Sequence, residues 1–471
     1  MRREYIEDHY DAAWKWLELA EDYSQFCTVF PLWHRGRVEI TAADGKLIVN
    51  NPLNVEKQYE AYNRLLLGEA RPEEPLAPPD ERLLTYLISC TSIQSDSFQV
   101  NFNPQLVARL REFLSPTAAT RHTLPDSWQF TSFSLQEYRK IFFTLRSMAY
   151  GWHVARSMLA QSGMQGLGYK SSVWVVPKQE LSARLKRYTR VDPPVIDRVL
   201  DLITFGSNGI RRPDIAIQPL VDLKNGSYAL APFVWLNTNM ERNLCVLLNQ
   251  IPAEREAYSR LTDEKELAIR DEIKELLGTD RFDFKGGQLE GTDLDLAVID
   301  REAKVCLGLE LKWFIEPAEI REIEQRIEEL AQGIVQAKKI KTLFERGDER
   351  LVKGLLGISQ DYLFLTAVAS MNWIGHGDVQ DLDVPIIKVF HLLNHIAATG
   401  SLLDVVTWLK TRAYLPQEGK NYSIEPWEIS CGKWTATWYG IKPLAQGGDS
   451  STENDVPPGA PVAPPAVLGR G

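Results

Sequence analysis

Gly291-Thr-Asp-Leu-Asp-Leu-Ala-Val-Ile-Asp300-Arg-Glu-Ala-Lys-Val305-Cys-Leu-Gly-Leu-Glu310-Leu-Lys312-Trp-Phe314 is the stretch on which the fold turns. It reads as two strands of a β-hairpin. An extended chain sends successive side chains to opposite faces. Leu294, Leu296 and Val298 then share one face of the first strand, and Asp293 and Asp295 the other. In the second strand Val305, Leu307, Leu309 and Leu311 point one way, Glu310 and Lys312 the other. Two or three carboxylates and an amine converge beside a strongly apolar sheet face. Carboxylates held that close repel unless a cation lies between them. A hard divalent ion such as Mg²⁺ takes oxygen ligands of this kind, and a neighbouring lysine can polarise or orient a water attacking phosphorus.

The turn decides which aspartate faces Glu310. A four-residue loop, Arg301 to Lys304, pairs Asp300 with Val305 and sets Asp295 across from Glu310. A two-residue loop at Arg301-Glu302 puts Asp293 there instead. Arg-Glu does not suit the primed turns of two-residue hairpins. Asp295 is therefore the expected partner and Asp293 an auxiliary.

These residues resemble the PD-(D/E)XK, or restriction-endonuclease-like, nuclease superfamily. Its pattern is an aspartate near the start of one strand and Glu-x-Lys on the next. The proline of that name is absent, since Leu294 precedes Asp295 and Thr292 precedes Asp293. The resemblance covers about residues 262–395 and implies an α-β-β-β-α-β core within an α/β (α+β overall) chain. Asp295, Glu310 and Lys312 would be catalytic, with Asp295 and Glu310 holding Mg²⁺ or Mn²⁺.

The flanks follow that order. Residues 262–278 carry a helical pattern that stops at Gly278. Glu266 lies there with Ile269 and Ile273 at helical spacing, near the inward stripe. Arg281 to Lys285 reads as a short first strand. Glu316 to Leu343 reads as a long amphipathic helix, in which Gln332-Gly-Ile-Val-Gln336 resembles the glutamine-bearing helix of some family branches. Tyr362 to Ala369 and Pro385 to Phe390 read as further strands. Glu266 and Gln336 are weaker contributors. On the same helix Lys338, Lys339 and Lys341 are the best candidates for nucleic-acid contact.

The 471-residue chain has room for roughly two to four domains. Its 44% hydrophobic and 25% charged content is that of an ordinary soluble globular protein. No apolar run reaches a membrane span, and the first residues lack the apolar core of a signal peptide. Cys27, Cys90, Cys245, Cys306 and Cys431 show no Cys-x-x-Cys spacing, which suits buried thiols in a reducing cytoplasm. His391 and His395 stand four apart on a helical pattern without a third ligand nearby, which favours a structural pair. The formal net charge is −10. A globally basic nucleic-acid binder is thus excluded, and phosphate contact needs local cations. No phosphate-binding Gly-Lys-Ser/Thr loop, dinucleotide fingerprint or nucleophile elbow is present.

The chain divides by pattern into a mostly helical region (1–170), a mixed helix and hairpin subdomain (171–240), the nuclease-like region with a C-terminal extension (241–445) and a Gly/Ser/Pro/Ala-rich tail (446–471). Helical spacing runs over Tyr10–Ala20, Val55–Leu67, Glu81–Ile88 and Gln105–Leu114. Ser134-Leu-Gln-Glu137 is a capping box that opens a helix to about Gln161. In the second region Lys178–Tyr188 and Pro194–Leu202 read as helices. Ile215–Leu223 and Tyr228–Trp235 read as a hairpin. The order resembles a winged helix, but the second helix carries Asp197, Arg198 and Asp201, a poor face for DNA. A mixed supporting subdomain is the better reading. Trp427 to Tyr439 is strand-like. The tail cannot bury a core and is expected to be disordered.

The resemblance implies a cytoplasmic, Mg²⁺-dependent nuclease acting on nucleic acid, with DNA as the expected substrate, no membrane partner and room for a homo-oligomer. The rival is a non-catalytic nucleic-acid-binding or assembly protein on a nuclease-like scaffold.

Overall fold

The four-residue loop at Arg301–Lys304 forms. Asp300 pairs with Val305, and the antiparallel register runs to Leu296 opposite Leu309. This hairpin lies in a computed structural model that describes residues 7–444 except 28, 35, 37, 45, 51–53, 71–78, 95–96, 120–123, 163–170, 211–212, 279, 315–319, 372, 376 and 433. The 446–471 tail lies outside the described residues. The chain is mixed α/β, with several separate sheets.

Contacts divide the chain into a unit of residues 1–52 and 416–471 and a unit of residues 53–415. The first contains α1 (Glu7–Cys27), α2 (Phe30–His34), β1 (Glu39–Ala43) and β2 (Lys46–Asn50). These join β13 (Tyr422–Cys431) and β14 (Trp434–Pro443) in a sheet of order β1-β2-β14-β13. Segments far apart in sequence meet because β14 pairs parallel with β2, Ala436 opposite Leu47. This division therefore departs from boundaries drawn along the chain. Trp427 to Tyr439, expected as one strand-like segment, is a hairpin turning at Gly432, whose φ of 57° favours glycine.

The larger unit opens with α3 (Asn54–Ala70), α4 (Glu81–Ser89), the short hairpin β3 (Thr91–Gln94) and β4 (Ser97–Val100), α5 (Pro104–Ala119) and α6 (Leu135–Gln161). The Ser134 capping box is present, its hydroxyl accepting from the Glu137 N–H while the Glu137 carboxylate accepts from the Ser134 N–H. Next come β5 (Trp174–Pro177), α7 (Lys178–Thr189), α8 (Pro193–Leu202), β6 (Leu220–Asp222) and β7 (Ser227–Leu230), in a sheet of order β5-β7-β6. The second hairpin strand, expected to reach Trp235, ends at Leu230. Pro232 occupies the first turn of α9 (Pro232–Asn237), where its missing N–H costs nothing. Asp197 and Asp201 face solvent on α8, while Arg198 turns to Asn208, Asp201 and Glu254. That helix presents no cationic face.

The remainder is α10 (Met240–Gln250), α11 (Pro252–Leu277), β8 (Phe282–Leu289), β9 (Thr292–Asp300), β10 (Val305–Lys312), α12 (Ile320–Glu345), β11 (Leu363–Ser370), β12 (Ile386–Lys388), α13 (Val389–Thr399) and α14 (Leu402–Lys410). One π-helical turn, Arg350–Leu356, precedes β11. The sheet order is β12-β11-β10-β9-β8, with β10, β11 and β12 parallel and β8, β9 and β10 antiparallel. Parallel strands are covered on both faces, which explains their near-continuous apolar runs. Every β10 residue is buried except Lys312, which is half-buried. No helix among the described residues is long and apolar enough to cross a membrane.

Candidate active site

The site begins with an irregularity in β9. Lys285 pairs with Ala297, and the next pair is Gly287 with Leu294. β8 thus advances two positions while β9 advances three, so β9 carries an extra residue at Asp295-Leu296, opposite Gly286. Such bulges bend the strand and re-aim side chains. Glycine is required opposite it: a Cβ on residue 286 would lie 2.5 Å from the Asp295 carbonyl oxygen and 3.0 Å from that of Leu294. Strict alternation therefore fails here. Leu294 joins the apolar cluster of Ala297, Ile299 and Cys306, and not that of Leu296 and Val298. The Leu311 N–H donates to Asp295 Oδ2 at 2.8 Å, so a side chain from the bulge meets the backbone of β10.

The β9–β10 ladder ends at the Leu309–Leu296 pair, and Glu310, the next residue of β10, feels the Asp295 charge. Glu310 is only 5% exposed. Burial, reinforced by the Asp295 charge, pushes its carboxyl up to about 7, against the opposing pull of Lys312. Burial also raises Asp295, partly offset by the Leu311 hydrogen bond and the Lys312 charge. The Lys312 ammonium donates to Glu310 Oε1 at 2.7 Å. Burial works against that charge, but Glu310, Glu266 and Asp295 outweigh it and raise the lysine further, so it keeps its proton at neutral pH.

Helix α12 covers this cluster through Gly333. A Cβ there would lie 3.2 Å from Lys312 Cε and 3.5 Å from Glu310 Cγ. Glycine in a helix interior costs up to about 1 kcal/mol relative to alanine, and close approach to the lysine explains its presence. Sequence reasoning quoted Gly333 only as part of a helix pattern and missed this role. It also missed Gly286 and Arg270. Arg270 sits one turn beyond Glu266 on α11, and its charge acts on Asp295. Its Nε is buried with no hydrogen-bond partner among the described residues, although Asp271 lies 3.7 Å away.

The auxiliary residues gather at the same end of the sheet. Gln336 Nε2 donates to Asp293 Oδ1 at 3.3 Å. Glu266 is half-buried and acts electrostatically on Lys312. The three α12 lysines separate. Lys338 is ion-paired with Asp381, and Lys341 lies 3.3 Å from Asp383 and 3.8 Å from Glu345. Lys339 instead donates to the Gly291 carbonyl at 2.6 Å and has no acidic partner among the described residues. The histidine pair is structural: His391 meets the Tyr62 hydroxyl at 3.1 Å, and His395 stacks on Trp408 with centroids 3.8 Å apart. Glu241, in the first turn of α10, lies in a buried network with Arg139 and the Leu124 N–H.

Among the described residues no three Asp, Glu, His or Cys side chains form a metal-ligand set. Two carboxylates do converge, each with one oxygen engaged by a protein donor. Such a donor set fits a Mg²⁺ ion that retains several waters and takes only one or two carboxylates. It does not fit an ion that demands an all-protein cage. Chemically, the arrangement combines a carboxyl that titrates near neutrality, a second buried carboxyl and a protonated amine. Comparison of the chain with protein-family models, curated proteins and solved structures finds no match in any of the three.

Proposed function

We propose that this chain is a metal-dependent nuclease with a restriction-endonuclease-like core, hydrolysing phosphodiester bonds in DNA. The observation that carries the reading is the electrostatic contact of Asp295 with the buried Glu310, itself hydrogen-bonded to Lys312, on adjacent strands of a sheet. The order α11-β8-β9-β10-α12-β11 supports it as well. Asp295 and Glu310 would hold Mg²⁺ or Mn²⁺. When bound, the ion supplies charge for the developing oxyanion and an acidified water. Lys312 carries its proton, so its part is to orient water or a phosphate oxygen and to neutralise charge. Glu310, whose carboxyl is raised to about 7 in the absence of a cation, would be held ionised by the ion it binds.

The test is incubation of the full chain with plasmid or oligonucleotide DNA and Mg²⁺. Lys312→Ala should lower the cleavage rate by about 10²–10³-fold, the usual worth of one donor aimed at developing charge. Its thermal midpoint should stay within a few degrees of the parent's. Cleavage by Lys312→Ala at the parental rate overturns the reading. A second reading, a non-catalytic nucleic-acid-binding or assembly protein on the same scaffold, draws on the absence of a three-ligand set among the described residues. It predicts no Mg²⁺-dependent cleavage of any strand by the parent protein.

A further inference from the structure

Beside the Asp295–Glu310 pair, between α12 and the β8–β9 turn, lies a cleft of about 420 Å³. That volume falls within the roughly 300–1,000 Å³ of sites for small ligands. Leu289 and Val335 supply apolar wall, and Val335 is 66% exposed. Gln336, Asp293 and Lys339 supply an amide, a carboxylate and an amine. Thr292 also lines the cleft. It is 8% exposed, and its hydroxyl has no hydrogen-bond partner among the described residues. That oxygen is closed off from the cleft, so the groups a ligand meets are the Asp293, Gln336 and Lys339 head groups and the apolar wall. Gly291 forms the lip at φ 73°, and a Cβ on it would meet Lys339 Nζ at 3.1 Å.

We infer that this cleft receives one unpaired nucleobase of the substrate, next to the phosphate cleaved at Asp295 and Glu310, so that the protein selects single-stranded nucleic acid over duplex. The inference rests on the nuclease reading for its position relative to the cleaved bond. The Asp293 carboxylate only accepts, and the N–H groups of a base that could serve it are occupied by pairing in a duplex and released when the base is unstacked. An apolar wall takes the face of any base. Charge points the same way. A duplex track needs several phosphate contacts, yet Lys338 and Lys341 are paired with acids, which leaves Lys339 as the α12 lysine positioned for one phosphate.

The experiment uses the full chain carrying Lys312→Ala, so that substrate survives. Labelled single-stranded DNA, RNA of the same sequence and a blunt DNA duplex are titrated by fluorescence anisotropy with Mg²⁺. At least one single strand should bind about tenfold or more tightly than duplex, in line with one stacked base, and the DNA and RNA arms name the sugar. Adding Val335→Ser should weaken that binding by about three- to tenfold and leave duplex binding unchanged, since losing the contact of one or two methyl groups is of that order. Val335 is 66% exposed, so its replacement should not unfold the chain, which a thermal melt verifies. Gly291→Ala, which displaces Lys339, should act in the same direction. Equal binding of duplex and single strands, or no effect of Val335→Ser, overturns the inference. The two readings fail separately. Pocket-dependent single-strand binding by a protein whose parent cleaves nothing refutes the nuclease reading and keeps this inference. Cleavage of duplex and single strand at equal rates, unaltered by Val335→Ser, does the reverse.

Discussion

Two antiparallel hairpins in this chain are written in nearly the same alphabet and do opposite things. β9–β10 and β13–β14 both alternate apolar with polar residues. In the first, Glu310 is buried and Lys312 half-buried. In the second, Glu425 and Glu428 face solvent, and Trp427 remains 45% exposed. The difference comes from what lies alongside. β10 has β11 parallel on its other edge and α12 over its charged face, at Gly333. β13 is the edge of its sheet, and Pro426 within it suits an edge strand. Alternation alone says that two faces differ; it does not say which of them meets water. A carboxylate becomes a reagent only when a third element closes over it and raises its proton affinity.

The largest contrast expected is in packing. Leu309 is 1% exposed in the core of the five-stranded sheet. Leu309→Ala should cost about 2–5 kcal/mol in chemical denaturation, as other buried leucines do. Trp427→Ala in the β13–β14 hairpin removes a larger side chain yet should cost less, because nearly half of that residue is exposed. If the order is reversed, the β13–β14 sheet is covered in solution and the contrast fails.

A second contrast lies in pH. The Glu310 carboxyl is raised from 4.5 to about 7. Between those values the folded chain holds a proton that the unfolded chain has released, so stability falls as pH rises through the window and levels off above it. The slope from this group cannot exceed about 1.4 kcal/mol per pH unit. Glu310→Gln removes that fall, and its thermal midpoint relative to the parent should be more favourable at pH 8 than at pH 4. Parallel pH curves for the two proteins would show that the carboxyl titrates normally. Saturating Mg²⁺ should flatten the parental curve, since a cation stabilises the ionised form.

How much of this was legible in the sequence follows from the range of each interaction. The Arg301–Lys304 loop and the Ser134 cap are local, and local chemistry writes them into the chain. The bulge at Asp295 was not legible. Gly286 looks like any strand glycine until β9 is laid against it, and so Leu294 was assigned to the wrong face. Gly333 and Arg270 were hidden for a related reason: their meaning lies in what α12 and α11 approach, across a distance that no period reveals. The pairing of β2 with β14 joins residues almost four hundred positions apart by roughly the span from Lys46 to Thr435, and no pattern of two or 3.6 reports such a pairing. The lysines of α12 read as one basic cluster, yet Asp381 and Asp383 on a later loop divide them.

Glycine offers the third contrast. At Gly286 a methyl group would press on two carbonyl oxygens of the bulge, at 2.5 and 3.0 Å. At Gly440 in β14 the nearest atoms, the Glu425 carbonyl oxygen and a Trp427 ring carbon, are 3.8 and 3.9 Å away, an ordinary contact. Gly286→Ala should therefore cost about 1–3 kcal/mol, as overpacking does, and lower any cleavage by shifting Asp295. Gly440→Ala should be neutral or mildly stabilising, because alanine loses less backbone freedom on folding. Equal tolerance at both positions would mean that the bulge relaxes at little cost, and Asp295 would then not be held by it.

The smallest effect expected is the most direct check on the β13–β14 hairpin. Lys442 Nζ lies 3.6 Å from Glu425 Oε1, with both side chains 56% exposed. The pair resembles Lys312–Glu310 in composition and differs in surroundings. In water the attraction between two such charges is screened, and holding two long side chains together costs rotamer freedom, so exposed pairs contribute about 0–1 kcal/mol. A double-mutant cycle through Glu425→Ala and Lys442→Ala should give a coupling in that range, shrinking further as salt is raised. A coupling well above 1 kcal/mol that persists in salt would mean that this face is desolvated, as the Glu310 face is. The two hairpins would then differ in which partner covers them, and not in whether they are covered.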